Sequence, residues 1–135
     1  MTMARFFEAL GAPLKNTRWS WGAQRADGAV FLRQWESDVF KGDDGEDYVR
    51  IAHRNHSPGP HEHGWRERLR HIESIRAGAP SFLVMVAAED VTAPKKTVKA
   101  FDARSIIVGG RLVTKDGATS IQVMDRRPVS QFIKT

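Results

Sequence analysis

The segment from Asn16 to Gly22 concentrates residue types that recognise planar ligands. Trp19 and Trp21 are two residues apart, so on a β-strand both indoles would face the same side. Trp35 ends the next apolar segment and could approach that side. Indole rings stack on planar groups with little sequence specificity, and a few polar groups then supply the discrimination. The pattern predicts an aromatic pocket for a planar ligand, and packing of the same indoles in a hydrophobic core is the alternative.

Five histidines form the second set of candidate functional residues. His61 and His63 could bind zinc or nickel, with His53 or His56 as a third ligand. The chain has no cysteine and these histidines fall in an irregular segment, so we expect neither a metal site nor a cofactor. The triplet Arg54-Asn55-His56 also departs from the HNH nuclease motif, because Arg occupies its first position and a Pro-Gly-Pro segment follows.

The common motifs for nucleophilic catalysis and for phosphate loops are absent from the sequence. It contains neither Gly-x-Ser-x-Gly nor Gly-x-x-x-x-Gly-Lys-[Ser/Thr], so neither a hydrolase nucleophile turn nor a phosphate-binding loop is supported. We therefore predict no catalytic residues. If the chain is instead an enzyme that acts on a nucleotide or another planar substrate, His53, His71 or Asp102 would serve as the acid–base group.

The charge distribution favours a polyanionic partner. The 135-residue chain carries 21 Lys and Arg against 16 Asp and Glu, a formal net charge of +5. Residues 51–135 hold 14 of the basic and 8 of the acidic residues, and 14 of the 21 basic residues are Arg. Guanidinium groups suit bidentate contact with phosphates and base edges. Arg66 and Arg70 on a predicted helix are candidate phosphate contacts, although a solvated helix face explains them equally well.

Two helices are predicted. A short amphipathic helix covers residues 3–10 and is ended by Gly11 and Pro13. A longer helix covers residues 64–77, after a loop at 54–63, and is ended by Gly78. The apolar stripe of this second helix would consist of Trp65, Leu69, Ile72 and Ile75.

The remaining elements are predicted to be strands. Residues 18–25 and 29–35 form a hairpin around Asp27-Gly28, and the nearly continuous apolar segment 81–88 is a strand buried on both faces. Shorter strands are predicted at residues 48–53, 99–101, 105–108, 111–114 and 118–123, with Gly109-Gly110 as a turn or bulge. The fold class is therefore α+β, a single domain over residues 1–135. It is a small curled or barrel-like, mostly antiparallel sheet that closes at its edges, with one principal mid-chain helix and a short N-terminal helix.

Composition places the chain among globular proteins, with 41% hydrophobic and 27% charged residues. The apolar run at residues 82–88 is far shorter than the ~20 residues that span a bilayer. Arg5 and Glu8 interrupt the stretch that a signal peptide would need, and the lack of cysteine suits a reducing compartment. We expect a cytoplasmic protein with no membrane partner.

Two segments resemble a known group of domains. Residues 16–23 followed by 28–35 resemble small bacterial proteins and N-terminal domains that occur beside HNH endonuclease domains in modification-dependent restriction systems. Residues 64–84 are similar to the helix–Gly–strand passage of PUA-like domains, the superfamily that includes EVE, ASCH, YTH and SRA modules. The EVE sequence pattern itself is not present, so the resemblance is to the wider superfamily.

The resemblance implies a small β-barrel that receives one flipped base in a pocket between the barrel and a helix. Carried over by motif, it makes three residues candidates for an aromatic cage: Trp19, Trp21 and Trp35. It makes Asn16 and Ser20 polar readers of the base, and Arg18 and Arg33 backbone contacts. Asp102 is a further candidate polar group of the pocket, although pairing with a nearby Arg at the surface is the simpler interpretation.

These observations favour a non-catalytic module that recognises a flipped modified base, with modified cytosine in DNA preferred over a modified base in RNA. The sequence holds no nuclease domain, so any cleavage would require a separate nuclease subunit. Three alternatives stay open: an RNA-binding domain of the same fold, a small enzyme for a nucleotide-like planar substrate, and an interaction protein without a ligand pocket.

Overall fold

The computed structural model describes residues 1–53, 62–93 and 97–133. Most of the predicted loop at 54–63, including the Arg54-Asn55-His56 triplet and His61, lies outside these ranges. In chain order the elements are α1 (Met3–Ala9), β1 (Gly22–Gln24), β2 (Val30–Trp35), a 3-10 turn (Glu36–Asp38), β3 (Val39–Lys41), β4 (Asp47–His53), α2 (Glu62–Arg76), β5 (Ser81–Ala88), β6 (Val98–Phe101), β7 (Ser105–Lys115), β8 (Ala118–Pro128) and a second 3-10 turn (Val129–Gln131). The predicted α+β class is confirmed.

The N-terminal helix agrees with its prediction. The Thr2 hydroxyl caps α1 by accepting a hydrogen bond from the Arg5 amide at 3.2 Å, and Gly11 follows the helix at φ 79°. Phe6 and Phe7 are buried, so the short helix is held by its aromatic side chains.

The predicted hairpin is also present, with shorter strands. Gly22 pairs with Leu32 and Gln24 with Val30, and the Arg25 amide donates to the Ala29 carbonyl at 2.7 Å. Gly28 in the loop has φ 95°, a left-handed conformation that favours glycine. Because β1 begins only at Gly22, the tryptophans that precede it lie outside the strand.

The sheet is mostly antiparallel, and the prediction that it closes on itself is wrong. Its eight strands run in the order β1-β2-β5-β7-β8-β4-β3, with β6 paired to β5, so β1 and β3 form open edges. Among the strand pairings described, only that of β2 with β5 is parallel. It runs from Val30 opposite Ser81 to Trp35 opposite Val86. Strand β1 pairs with the free side of β2 and β3 with the free side of β4, and no ladder of backbone hydrogen bonds joins β2 to β4.

Two hydrophobic clusters lie on opposite faces of the sheet. The first lies between α1 and the sheet and includes Phe6, Phe31 and Val84. The second joins residues from β2, β4, β5, β7 and β8 to Ile72 and Ile75 of α2. Since strands from both ends of the sheet contribute to this second cluster, the sheet curls around it. Successive residues of β5 belong to different clusters, which confirms that this strand is buried on both faces.

The segments predicted as separate strands around Gly109-Gly110 form one long strand, β7, with a bulge at the two glycines. A Cβ atom on Gly109 would lie 2.3 Å from Ser81 Oγ and 2.6 Å from Ile121 Cδ1. The glycine is therefore required by close packing against β5 and β8.

Helix α2 begins at Glu62, two residues before the prediction, and its buried face differs from the predicted apolar stripe. Leu69 is 41% exposed, whereas Glu67, Arg68 and His71 are buried. Polar side chains therefore occupy the buried positions in the first half of the helix, and Ile72 and Ile75 occupy them in the second half.

Candidate functional site

Most of the predicted site residues lie at one end of the domain, which we call the tryptophan end: residues 16–21, Arg33 and Trp35, together with α2 from His63 to Arg70. Residues 16–20 form a tight turn stabilised by Asn16. Its Oδ1 accepts hydrogen bonds from the amides of Arg18 (2.8 Å) and Trp19 (3.3 Å). The backbone amide of Asn16 donates to Ser20 Oγ at 3.0 Å. Asn16 and Ser20 thus determine the loop conformation, and their predicted contact with a base stays a prediction.

Helix α2 binds both backbone polar groups of Trp21. The two carboxylate oxygens of Glu67 accept hydrogen bonds from Ser20 Oγ (2.9 Å) and from the Trp21 amide (3.3 Å). The Trp21 carbonyl accepts from the Arg33 amide (2.8 Å) and from Arg68 Nη2 (2.9 Å). The backbone of Trp21 is therefore held between α2 and β2.

Arg68 crosses the gap between β2 and β4 that the sheet leaves open. Its Nη1 donates to Gln34 Oε1 (2.6 Å) on β2 and to the Ile51 carbonyl (2.7 Å) on β4. Its Nη2 also donates to the Arg33 carbonyl at 2.8 Å. Ile51 lies at a β-bulge between Arg50 and Ala52, where the pairing of β4 with β8 is interrupted.

Arg68 is buried, and none of its described hydrogen bonds is to a carboxylate. Burial lowers the pKa of Arg68 to about 10, which still leaves the guanidinium charged at neutral pH. The charge is stabilised by the nearby carboxylates of Glu67 and Asp38 and by the carbonyl oxygens that accept its hydrogen bonds. Gln34 extends the network, because its Nε2 donates to Asp38 at 2.6 Å, and Asp38 forms an ion pair with Arg50 at 3.2 Å.

Trp21, Arg33 and Trp35 are in mutual contact. The indole rings of Trp21 and Trp35 are 5.1 Å apart at an interplanar angle of 51°, and Arg33 Cζ lies 3.8 Å from the Trp21 ring centroid. All three side chains are half-buried. Trp19 belongs to a separate contact with His63, at 5.4 Å and 31°. The three tryptophans thus form two aromatic pairs rather than one cage.

The spacing within each pair limits how a planar ligand can bind. A base between two rings needs them about 7 Å apart, twice the contact distance of carbon atoms. Both observed separations, 5.1 and 5.4 Å, are shorter. A ligand that stacks at this end must therefore use the open side of a pair, or the rings must move apart.

Arg33 has a cationic group without an anionic partner. Among the described residues no hydrogen bond or ion pair involves its side chain, and its Nε atom is buried without a hydrogen-bond acceptor. Desolvation lowers the pKa of Arg33. A half-buried guanidinium on an indole face can therefore receive an anion without displacing an existing partner.

The other predicted cations and Asp102 differ in position. Arg18, Arg66 and Arg70 are exposed at the tryptophan end. Asp102 lies apart, in the turn between β6 and β7, where it accepts hydrogen bonds from Arg104, Ser105 and Arg126. Burial acts to raise the pKa of Asp102, but the hydrogen bonds from Ser105 and Arg104 and the charge of Arg126 together outweigh it, so the pKa is lowered. The carboxylate is used by partners in this turn and by Arg126 of β8.

Burial shifts the pKa of two titratable side chains of α2, the predicted acid–base candidate His71 and its neighbour Glu67. Burial, together with the charge of Arg68, lowers the pKa of His71 to about 4, so the imidazole is neutral at physiological pH. Desolvation raises the pKa of Glu67 despite its hydrogen bond from Ser20. Within the described ranges no group of three His, Asp or Glu side chains is arranged to hold a metal ion, and His56 and His61 lie outside those ranges.

Sequence reasoning missed the residues that organise the site: Gln34, Asp38, Glu67 and Arg68. A signal for the two helical residues was present. Positions 64, 67, 68, 71, 72 and 75 follow the spacing of one helix face, and the apolar residues at its C-terminal half are buried. Extending that face toward the N-terminus would have placed Glu67 and Arg68 inside.

Comparison with protein-family models, with curated proteins and with solved structures finds no match. The resemblance to PUA-like domains therefore stays a prediction. Among the described residues, no helix has both the length and the apolar character that crossing a membrane requires.

Proposed function

We propose that this domain is a non-catalytic nucleic-acid-binding module that recognises a flipped modified base, with modified cytosine in DNA as its preferred target. Such a base would stack on an indole of the tryptophan end while basic side chains hold the adjoining phosphates. The PUA-like resemblance of the sequence supports the same proposal.

The observation that carries the proposal is the contact of Arg33 with Trp21 beside Trp35. A guanidinium 3.8 Å from an indole, with no described anionic partner, places an unneutralised positive charge next to two half-exposed aromatic rings. Stacking surfaces combined with positive charge are what nucleic acids with unpaired bases bind.

The hydrogen-bond network supports the proposal because it makes the aromatic surface rigid. Glu67 and Arg68 bind the backbone of Trp21 from both sides, so its position is set before any ligand arrives. A preorganised surface loses less conformational entropy when a ligand binds. The exposed Arg18, Arg66 and Arg70 would add affinity for phosphates that depends on salt concentration.

The test is a binding assay with oligonucleotides that differ only in one central cytosine, either unmodified or carrying a modification at C5, as single strands and as duplexes. We expect the modified duplex to bind more tightly, and Trp35→Ala to weaken binding by about 1–3 kcal/mol, the usual contribution of a stacked base. Fluorescence anisotropy measures the dissociation constants.

Phe40→Ala is the matched control, because Phe40 is an aromatic residue 44% exposed on β3 and is not one of the residues of the tryptophan end. It should leave the affinity unchanged. Equal affinity for modified and unmodified cytosine would refute base recognition, and tighter binding of single-stranded RNA would favour the RNA-binding alternative. A Trp35→Ala variant that keeps its circular dichroism spectrum and full affinity would exclude this indole from the site.

A further inference from the structure

A groove with a volume of about 590 Å³ lies beside the tryptophan end, between the start of α1 and strand β6. The face of the sheet that carries Trp35 continues to this groove. Trp35 pairs with Val86, and Val86 pairs with Phe101, so the three side chains project to the same face of neighbouring strands. Phe101 lines the groove directly.

The charged side chains in the groove wall are both basic. Arg33 and Lys99 line it, no acidic residue does, and the other lining residues are apolar. Neither the side chain of Arg33 nor that of Lys99 forms a hydrogen bond or an ion pair with another described residue. An apolar surface with two unneutralised cations is complementary to a ligand that has an anionic group and an uncharged body.

We infer that this groove is a phosphate subsite for the nucleotide next to the recognised base, with Arg33 and Lys99 as its anchors. The guanidinium fork of Arg33 matches the oxygen geometry of a phosphate, and Lys99 contributes a flexible point charge. Arg33 contacts both Trp21 and the groove, so one side chain connects the aromatic surface to the subsite. The assignment of the phosphate to nucleic acid rests on the proposed function; a free phosphate offers the same chemistry.

The first arm of the test measures oligonucleotide affinity as a function of salt concentration for the wild type and for Lys99→Gln. Removing one phosphate contact should lower the slope of log K against log salt by about 0.9 and weaken modified and unmodified duplexes by the same factor. Arg33→Lys keeps the charge and should weaken binding severalfold through loss of the guanidinium geometry. Lys41→Gln removes the same charge from β3, which contributes no residue to the groove, and should change neither quantity.

The second arm titrates inorganic phosphate into the full chain and follows the amide signals by nuclear magnetic resonance. Shifts centred on Arg33 and Lys99 support the subsite even if no oligonucleotide binds, in which case the proposed function fails and the subsite serves a free phosphate. If oligonucleotides bind but Lys99→Gln keeps the wild-type slope and phosphate moves neither signal, the subsite is refuted while the proposed function stands. Tighter binding of a polyglutamate peptide than of an oligonucleotide at these residues would overturn the phosphate assignment.

Discussion

The buried polar side chains of α2 differ in how fully their hydrogen-bonding groups are used. Arg68 makes four hydrogen bonds and Glu67 accepts two, but His71 Nδ1 is buried without a partner. An unsatisfied buried polar atom costs about 1–3 kcal/mol. His71 is therefore a source of instability on this helix face, and so is Arg68 Nε, which is also buried without a partner.

The low pKa of His71 predicts how stability changes with pH. The folded state holds His71 neutral down to a pKa of about 4, against 6.5 in the unfolded chain, so between these values the unfolded state binds more protons. The contribution of the neutral His71 to the free energy of unfolding is fully present above pH 6.5 and is lost as the pH falls toward 4. We expect His71→Leu to be at least as stable as the wild type at pH 7. We also expect its free energy of unfolding not to show the decrease that His71 causes between pH 6.5 and 4.

Urea unfolding at several pH values checks this prediction. The difference between the two proteins isolates His71 from Glu67, whose raised pKa acts in the opposite direction as the pH falls. A parallel decline in both proteins between pH 6.5 and 4 would show that His71 titrates normally in the folded state.

Helix α2 completes the fold in a way that strand pairing does not. The backbone ladder leaves β2 and β4 unpaired, and the side chain of Arg68 spans the distance between them through Gln34 and the Ile51 carbonyl. One helix thereby holds the Trp21 backbone in place and connects two parts of the sheet.

Arg68→Met is the substitution that tests this role. It retains the unbranched aliphatic stem but leaves the Ile51 carbonyl, the Arg33 carbonyl and Gln34 Oε1 without their charged donor, so we expect a loss of roughly 3–5 kcal/mol in the free energy of unfolding. Thermal and urea denaturation measure it. The exposed Arg70 on the same helix gives the control, since Arg70→Met should change stability by less than about 0.5 kcal/mol. Similar losses in both variants would contradict the bridging role of Arg68.

Most elements were predictable because local residue patterns determine them. The alternation and Asp27-Gly28 indicated the hairpin, and the unbroken apolar segment indicated β5, whose bounds match the prediction. Strand β3 was missed because its three residues are all exposed and adjoin an acidic turn, so they carry no burial pattern. The open edges were also missed, since strand order depends on contacts between distant segments.

The site was predictable only in part for the same reason. The tryptophans were identified by their residue types and Arg33 by the family resemblance, and the structure brings Trp21, Arg33 and Trp35 together. Their division into two pairs, and the dependence of Trp21 on Glu67 and Arg68, follow from where α2 packs. No short-range pattern around residue 21 contains that information.

Across the whole domain, the two open edges of the sheet differ in burial, because Gly22 and Ala23 of β1 are buried whereas all three residues of β3 are exposed. Strand β3 at one edge presents Val39 and Phe40, which are 42% and 44% exposed, beside unpaired backbone groups. An exposed apolar edge strand is a template for association with other chains. We therefore expect some self-association through β3 at high protein concentration.

Val39→Lys should reduce that self-association while leaving the folded state intact, because a charged residue on an edge strand opposes pairing with a second edge. Light scattering at increasing concentration is the measurement. Val91→Lys is the control, because Val91 is 58% exposed and lies in the turn after β5, not on an edge strand with unpaired backbone groups. Equal effects of the two substitutions would indicate general surface hydrophobicity rather than the edge.

The parallel pairing of β2 with β5 has a consequence for synthesis on the ribosome. Phe6, Phe7 and Phe31 belong to one cluster with Val84 and Ile106, which are translated much later. Phe6, Phe7 and Phe31 therefore leave the exit tunnel before Val84 and Ile106 do, and until then they are exposed to solvent and to chaperones. Completion of the buried layer waits until β5 and then β7 have left the exit tunnel.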